Sequence, residues 1–323
     1  MMAGIGTIFM LHRVAPYEKR ATMHTENLKF SPDELEYVIS ALKKQGKMFV
    51  SMQQLPALIN NDKHAAGKFV AFTLDDGYTD NLEYAYPIFR KHNIPFCIYI
   101  TNSFPNRTTN LWWFALENLI VQNNTLNLPG AGRVANRSQK EKDRNFLRAR
   151  RDILSNHFRD PLRFLEKLGR LEFDLNARTS ELCLTWQQVA ELSRDPRVTI
   201  GCHTVNHFPL SRLSQDEARK EITDSKSELE TRIGKPVNHF AFPFGSHREA
   251  GQREYNLAHN CGFQTIATSL NGHVHRGDHL NQLNRLFLYP LAPNACTLDK
   301  LMYRNKLVYV SYVKKYILGK LFK

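Results

Sequence analysis

Short apolar runs alternate with segments of helical periodicity along most of this chain. Residues 5–11 read as a buried strand. Ser31-Pro32-Asp33-Glu34 then opens a helix, with a Ser cap, Pro in the first turn and acids where the helix dipole favours them. Its apolar positions Leu35, Val38, Ile39 and Leu42 keep helical spacing to about Gly46. A short strand is predicted at 49–51, a strand at 69–74, a helix at 81–92 and a strand at 94–100. After a long break the alternation resumes with a helix at 187–192, a strand at 198–201 and a helix at 214–233. A strand at 237–243, a helix at 249–261, a strand at 263–268 and a last strand at 286–289 follow. Strand–helix alternation predicts an α/β fold with parallel strands. About seven or eight strands with long helices suit a (β/α) barrel better than an open sheet. No Gly-rich fingerprint follows the first strand, which weighs against a nucleotide-binding doubly wound fold.

Residues 103 to 180 break the rhythm. Pro105 to Asn110 reads as loop, Leu111-Trp112-Trp113-Phe114 leads into a helix at 115–122, 123–132 is turn-rich, and 138–171 is basic and helical. The chain therefore reads as one barrel over 1–290, interrupted by a basic helical insertion at about 103–180. A basic amphipathic tail follows over 291–323. The Trp-Trp-Phe cluster either packs the inserted helices, covers the site or touches lipid.

The chain has 323 residues and is 42% hydrophobic, enough for a large core. No apolar stretch approaches the ~18 residues of a membrane span. The first residues lack the basic segment and unbroken apolar run of an export signal, so a cytoplasmic location is expected. Five cysteines without a CxxC pair read as reduced thiols. Forty-four Lys and Arg against 31 Asp and Glu give net +13, which favours an anionic partner. Without a zinc-finger or RNP-like motif, nucleic acid is not expected to be that partner. Residues 300–323 carry seven Lys and Arg and no acid, interleaved with apolar residues. Such a tail can lie on an anionic inner-leaflet surface, making the protein peripheral on the inner membrane, or pack on the body as a terminal helix.

The candidate chemistry sits at the ends of predicted strands, where a barrel gathers its site residues. Asp75-Asp76-Gly77 ends the strand at 69–74, and Gly77 permits a turn that brings both carboxylates to one cavity. His203 and His207, at i and i+4, follow the strand at 198–201 and can share a metal from one helical turn or tight loop. His12 ends the first strand. One carboxylate (Asp76) and two imidazoles are three protein ligands, which leave a divalent cation an open position for catalysis. Asp75 is then free to take a proton from water and His12 to give one to the leaving group. Alone, Asp-Asp-Gly also suits exposed acids opening a turn, and HxxxH occurs on plain surfaces. A second cluster, His273, His275, Asp278 and His279, reads as a solvated loop near the barrel mouth that could touch substrate.

Thr73-Leu74-Asp75-Asp76-Gly77-Tyr78, His203-Thr204-Val205-Asn206-His207 and Phe240-Ala241-Phe242-Pro243-Phe244-Gly245 together resemble the three motifs of the polysaccharide deacetylases with the NodB homology domain, carbohydrate esterase family four. The resemblance covers residues 1–102 and about 183–290. It implies a distorted (β/α) barrel that removes N-acetyl, or sometimes formyl, groups from sugars. It implies Asp75 as base and Asp76, His203 and His207 as ligands of a metal, Zn²⁺ foremost, with Mn²⁺, Co²⁺, Ni²⁺ or Fe²⁺ also suited. It further implies that Tyr78, Pro243 and Phe244 border the substrate, the backbone near Phe244 binding the oxyanion. Many members carry Arg ahead of the third-motif Pro and Tyr after it, where this chain has Ala241 and Phe244. Many also take their acid His from a late Leu-x-His motif, which this chain lacks. Members of a permuted type start with a strand ending in His, and Met10-Leu11-His12-Arg13-Val14 is similar to that element. Arg285, in Asn284-Arg285-Leu286-Phe287, is read as replacing the missing Arg beside Asp75.

The expected function is a metal-dependent N-deacetylase acting on an N-acetylated amino sugar of an envelope glycan or glycolipid precursor, lipid-linked, phosphorylated or part of a lipopolysaccharide core. A deformylase of a lipid-linked amino sugar, and a non-catalytic barrel binding glycan or lipid, are the alternatives. Two His and one carboxylate also suit Fe(II) oxygenases, but those sites usually sit on antiparallel jelly rolls.

Overall fold

In the computed structural model, described over residues 4–18, 24–61 and 69–288, seven parallel strands close into a ring. They are β1 (Gly6–Leu11), β2 (Phe69–Asp76), β3 (Phe96–Ile100), β4 (Val198–Cys202), β5 (His239–Ala241), β6 (Thr265–Asn271) and β7 (Leu283–Phe287). They stand around the barrel in chain order, and β7 returns to β1, with Phe9 opposite Leu286. β1 lies against β2 in unbroken register, from Gly6 opposite Phe69 to Leu11 opposite Leu74. The two-residue strand Met48–Phe49 adds to the start of β2 without entering the ring. A distorted (β/α) barrel is thus what the chain forms.

The helices are α1 (Pro32–Lys44), α2 (Leu55–Asn61), α3 (Tyr86–His92), α4 (Trp112–Gln122), α5 (Gln139–Asp152), α6 (Pro161–Leu168), α7 (Leu175–Leu182), α8 (Trp186–Arg194), α9 (Gln215–Ile233) and α10 (Gln252–Asn260). Local chemistry starts several of them. Ser31 and Glu34 form a reciprocal capping box for α1, as Ser214 and Glu217 do for α9. Strand alternation then divides the core in two. Phe9, Leu11, Phe72 and Leu74 face outward onto Leu35, Val38 and Ile39 of α1. Ile8, Ala71, Cys97, Tyr99, Ala241 and Leu283 fill the interior, closed at the N-terminal end by Val50, Met52, Leu55 and Ile59.

Between β3 and β4 the chain runs through α4, an antiparallel hairpin (Thr125–Leu128 with Gly132–Ala135) and α5 to α7. These pack around a cluster of their own that includes Trp112, Leu116, Phe146, Ile153 and Phe164. The stretch at 123–132, read as turns, is mostly this hairpin; Gly130 and Gly132, at φ +67° and +63°, reverse the chain. α7 was not anticipated, because Leu175 to Leu182 has little apolar periodicity; Asp174 caps it instead. The helix expected at 81–92 begins as a π-helical turn, Asn81–Ala85.

The His273 loop is not near the mouth on the site side. Val274 bridges to Gly6 and His273 Nδ1 lies 2.9 Å from Thr7 Oγ1, which puts the loop against the first residues of β1, opposite the strand ends that carry Asp75 and Asp76. The return from β6 to β7 has no helix, so it must cross that end of the barrel. Among the described residues no helix is long and apolar enough to cross a membrane. The basic tail at 291–323 lies outside the described residues.

Candidate active site

Asp75 and Asp76 close β2, His12 follows β1, His203 follows β4, and Phe242 to Phe244 follow β5. All lie at the C-terminal ends of the strands, where parallel packing brings them together. A cavity of about 240 Å³ opens there, lined by His12, Asp75, Asp76, His203, His207 and Phe244 among others.

The turn that delivers both carboxylates occurs one residue earlier than expected. Asp76 itself is left-handed, φ +78°, as is Gly77 at +94°. That reversal breaks the strand alternation which would otherwise point neighbours to opposite faces. His203 and His207 are joined by a tight loop, not a helical turn: Thr204 and His207 have φ of +67° and +57°. Thr204 Oγ1 accepts the His207 N–H at 3.1 Å, and Glu221 of α9 receives both the backbone and side-chain N–H groups of Asn206. With Phe244 at +59°, four of the seven described non-glycine residues of positive φ fall at this site. Such strain persists where surrounding contacts over-determine the backbone.

The three candidate ligands converge on one oxygen. Asp76 Oδ1 is 3.4 Å from His203 Nε2 and 3.1 Å from His207 Nε2. His203 Nδ1 lies 2.8 Å from the Ala241 carbonyl, so it carries the proton and leaves Nε2 as a lone pair. Asp76 Oδ1 has no hydrogen-bond donor although the residue is only 3% exposed. Acceptors meeting acceptors in a buried place repel unless a cation lies between them, so this donor set fits a divalent metal. Among the described residues it is the one such cluster of His, Cys and acidic side chains. Burial would raise the Asp76 carboxyl, but the imidazoles of His207 and His203 beside it hold it well below the usual aspartate value.

Arg285 reaches Asp75 from β7 through the barrel interior. Its two terminal nitrogens donate to Asp75 Oδ1 and Oδ2, both at 2.7 Å, its Nε donates to the Thr268 carbonyl at 2.8 Å, and it is 1% exposed. Burial pushes the Asp75 carboxyl up, but Arg285 and then His203 outweigh it and keep the carboxylate ionised. His12 is partly buried with its Nδ1 unpartnered; burial lowers its pKa against the raising effect of Asp76 and Asp75. Its carbonyl accepts from Asn81 Nδ2 at 2.9 Å, while Asp80 holds Arg13 at 2.7 Å and the Val14 N–H at 3.2 Å, which fastens the end of β1 beside β2.

Two residues read as bordering substrate are not among those that line the cavity. Tyr78 is fully buried behind the wall, packed on Phe104 and Phe114, and its hydroxyl accepts from Trp113 Nε1 at 3.1 Å. The turn at Asp76 and Gly77 carries it away from the cavity. Pro243 is also buried; Phe242, Phe244 and Ser269 line the cavity in its place. The backbone N–H of Phe244 has no partner among the described residues. Sequence reasoning missed Met10, Leu28, Arg150, Phe242 and Ser269 as lining residues. For Arg150 a signal existed: it shares a helical face with Phe146 and Ile153.

A parallel barrel with an Asp-His-His cluster and a second, Arg-paired Asp at its strand ends defines a hydrolase class, and the profile of that class matches residues 62–266. The chain belongs to the polysaccharide deacetylase family, whose reaction is hydrolysis of the N-acetyl group of a sugar. YxkH of Bacillus subtilis (strain 168), a protein assigned to the polysaccharide deacetylases, is 19% identical over 264 residues, 82% of this chain and 67% of that one. The fold is similar to Streptococcus pyogenes deacetylase PplD in complex with acetate, with a TM-score of 0.58, 18% identity, and 88% and 92% of the two chains covered. It is equally similar to a de-N-acetylase from Aggregatibacter actinomycetemcomitans, with a TM-score of 0.58, 16% identity, and 92% and 99% covered.

Proposed function

We propose that this protein is a metal-dependent deacetylase that removes the N-acetyl group from an amino sugar of a cell-envelope glycan or glycolipid precursor. The observation that carries the reading is the convergence of Asp76, His203 and His207 in a cavity that also holds Asp75 and His12. Asp76, His203 and His207 would hold the cation, with Zn²⁺ the best match to two imidazoles and one carboxylate. When bound, such an ion polarises the acetamide carbonyl and acidifies water.

The remaining steps belong to side chains. Asp75, kept ionised by Arg285, takes a proton from the attacking water as its oxygen bonds to the acetyl carbon. The free Phe244 N–H donates to the oxygen that gains negative charge. His12 in its protonated form donates to the sugar nitrogen as the C–N bond breaks, a transfer favoured by burial, which disfavours the charged imidazole. Acetate and the free amine leave. Met10 and Phe242 give the wall an apolar patch that suits an acetyl methyl group better than a formyl hydrogen. Net charge +13 supports an anionic carrier on the substrate, such as a lipid phosphate.

The purified protein is expected to release acetate from N-acetylated amino sugars, to lose that activity on chelation and to regain it with Zn²⁺. Asp75→Asn should lower turnover by about 10²–10⁴ while metal content stays at the wild-type level. Undiminished turnover in that variant, or turnover indifferent to chelator, would remove the mechanism.

A further inference from the structure

A second cavity, of about 210 Å³, opens at the N-terminal ends of β4 and β5, where the turn from α8 into β4 faces the link from α9 into β5. It is nearly as large as the catalytic cavity and shares no lining residue with it. His239, the first residue of β5, lines it and is buried, and its Nε2 has no hydrogen-bond partner among the described residues. The other ring nitrogen, Nδ1, lies 2.8 Å from Thr265 Oγ1. Thr265 is fully buried, and its hydroxyl has no other partner among the described residues, so its proton goes to Nδ1. Burial lowers the His239 imidazole to about 4, so the ring is neutral at neutral pH. Nε2 therefore carries the remaining proton. A buried N–H donor without an acceptor is costly, and the space beside it is where an acceptor can sit.

Two further donors border the same space. Lys235 gives one N–H to the Ser193 carbonyl at 2.6 Å, and an ammonium has three. Gln53 accepts from the Thr199 hydroxyl at 2.9 Å through its amide oxygen, which leaves its amide nitrogen to donate. Asp195 is the one carboxylate among the described lining residues. Its oxygens already accept from Arg197 Nη2 at 2.6 Å, Arg197 Nε at 2.9 Å and the Tyr86 hydroxyl at 2.9 Å. Arg197 balances the charge of Asp195, so Lys235 leaves the cavity net positive. Pro196, Val198, Ile233 and Pro236 make the rest of the wall apolar.

We infer that this cavity binds a small organic carboxylate. Its oxygens take the Nε2–H of His239 and the ammonium of Lys235, and its short apolar body rests against Ile233 and Pro196. The volume is below the ~300–1,000 Å³ of sites for larger ligands, which limits the occupant to a small molecule. Phosphate would bring more charge and hydration than a partly apolar wall can satisfy. The site lies at the opposite end of the barrel from Asp75 and Asp76 and does not depend on the deacetylase reading.

The test uses metal-free full-length protein and three probes: isobutyrate, its neutral counterpart isobutyramide, and inorganic phosphate. Calorimetry is expected to show isobutyrate binding more tightly than either of the others. Lys235→Met, at an exposed position, should weaken isobutyrate about tenfold. His207→Ala, in the other cavity, should leave its affinity unchanged. Because a change at buried His239 could disturb folding, the imidazole is read directly in the unaltered protein: isobutyrate should shift the His239 Nε2–H resonance in nitrogen-edited NMR spectra. No binding, equal affinity in Lys235→Met, or an unmoved His239 resonance overturns the inference. Loss of binding in His207→Ala alone would place the carboxylate in the catalytic cavity and overturn it as well. Tighter binding of phosphate or of isobutyramide would refute the carboxylate class.

Discussion

Asp75 and Asp76 are neighbours with the same side chain, yet their surroundings assign them different tasks. Asp75 faces a guanidinium on both oxygens, while Oδ1 of Asp76 faces two imidazole nitrogens and has no hydrogen-bond partner. The His loop that creates the second environment depends on Thr204, whose hydroxyl fixes the His207 backbone N–H. Thr204→Ala is expected to weaken Zn²⁺ about tenfold, as loss of a supporting hydrogen bond commonly does, and Thr204→Ser to leave it unchanged. Titration of the metal-free protein with Zn²⁺ reads the difference; equal affinities in both variants would show that the loop holds His207 without that hydroxyl. At this scale the candidate ligands were legible, because Asp76 and His203 follow apolar runs, His207 stands four residues beyond His203, and strand ends are where side chains can meet. The left-handed turn at Asp76 was not legible, since φ at a non-glycine residue is imposed by its neighbours.

Each strand carries two faces with different packing demands, and β4 shows the inner one most sharply. A Cβ on Gly201 would lie 2.4 Å from the Tyr99 ring and 3.2 Å from the His239 carbonyl. The interior of a seven-strand barrel is narrow, so the large Tyr99 must be matched by a bare backbone opposite. Gly201→Ala is expected to cost about 1–3 kcal/mol. For a chain of this size that is a fall in Tm of several degrees by calorimetry, at about 2–4 °C per kcal/mol. An unchanged Tm would mean that Tyr99 has room to move. Element types along the barrel followed from periodicity and caps. The insertion did not read as well: α7 has weak periodicity and the hairpin is held by pairing between Leu126 and Val134, a contact the local sequence does not announce.

Across the whole molecule, distant segments are tied by polar contacts as well as by the core. Asp195, at the corner between α8 and β4, accepts from Tyr86 of α3 at 2.9 Å and from Arg197 at 2.6 Å. Hydrogen bonds from Arg197, against the opposing effect of burial, lower its carboxyl to about 2. Because that lies below the ~3.9 of an unfolded aspartate, the stabilisation is complete above pH 4 and fades as pH falls toward 2. Asp195→Asn should therefore lose about 1–2 kcal/mol at pH 7, with the gap to wild type closing between pH 4 and 2 in denaturant titrations. A gap that stays constant down to pH 2 would show that the charge is not what stabilises. At the same scale, the insertion supplies one wall of the cavity, through Trp112, Trp113 and Arg150, from a segment outside the motif-bearing strands.

By itself, the sequence determined the α/β barrel, the helix starts and the set of side chains that could do chemistry, because periodicity, caps and strand ends are local properties. Tertiary structure decided which of those side chains share a cavity. It sent Tyr78 and Pro243 into the packing, the His273 loop to the far end of the barrel, and Arg150 onto the site. It also brought Arg285 to Asp75 from across more than two hundred residues of chain. The physical reason is that a closed parallel barrel lines up strand ends whatever their separation in sequence, while the direction of each side chain there depends on backbone turns and neighbours that only the folded ring supplies.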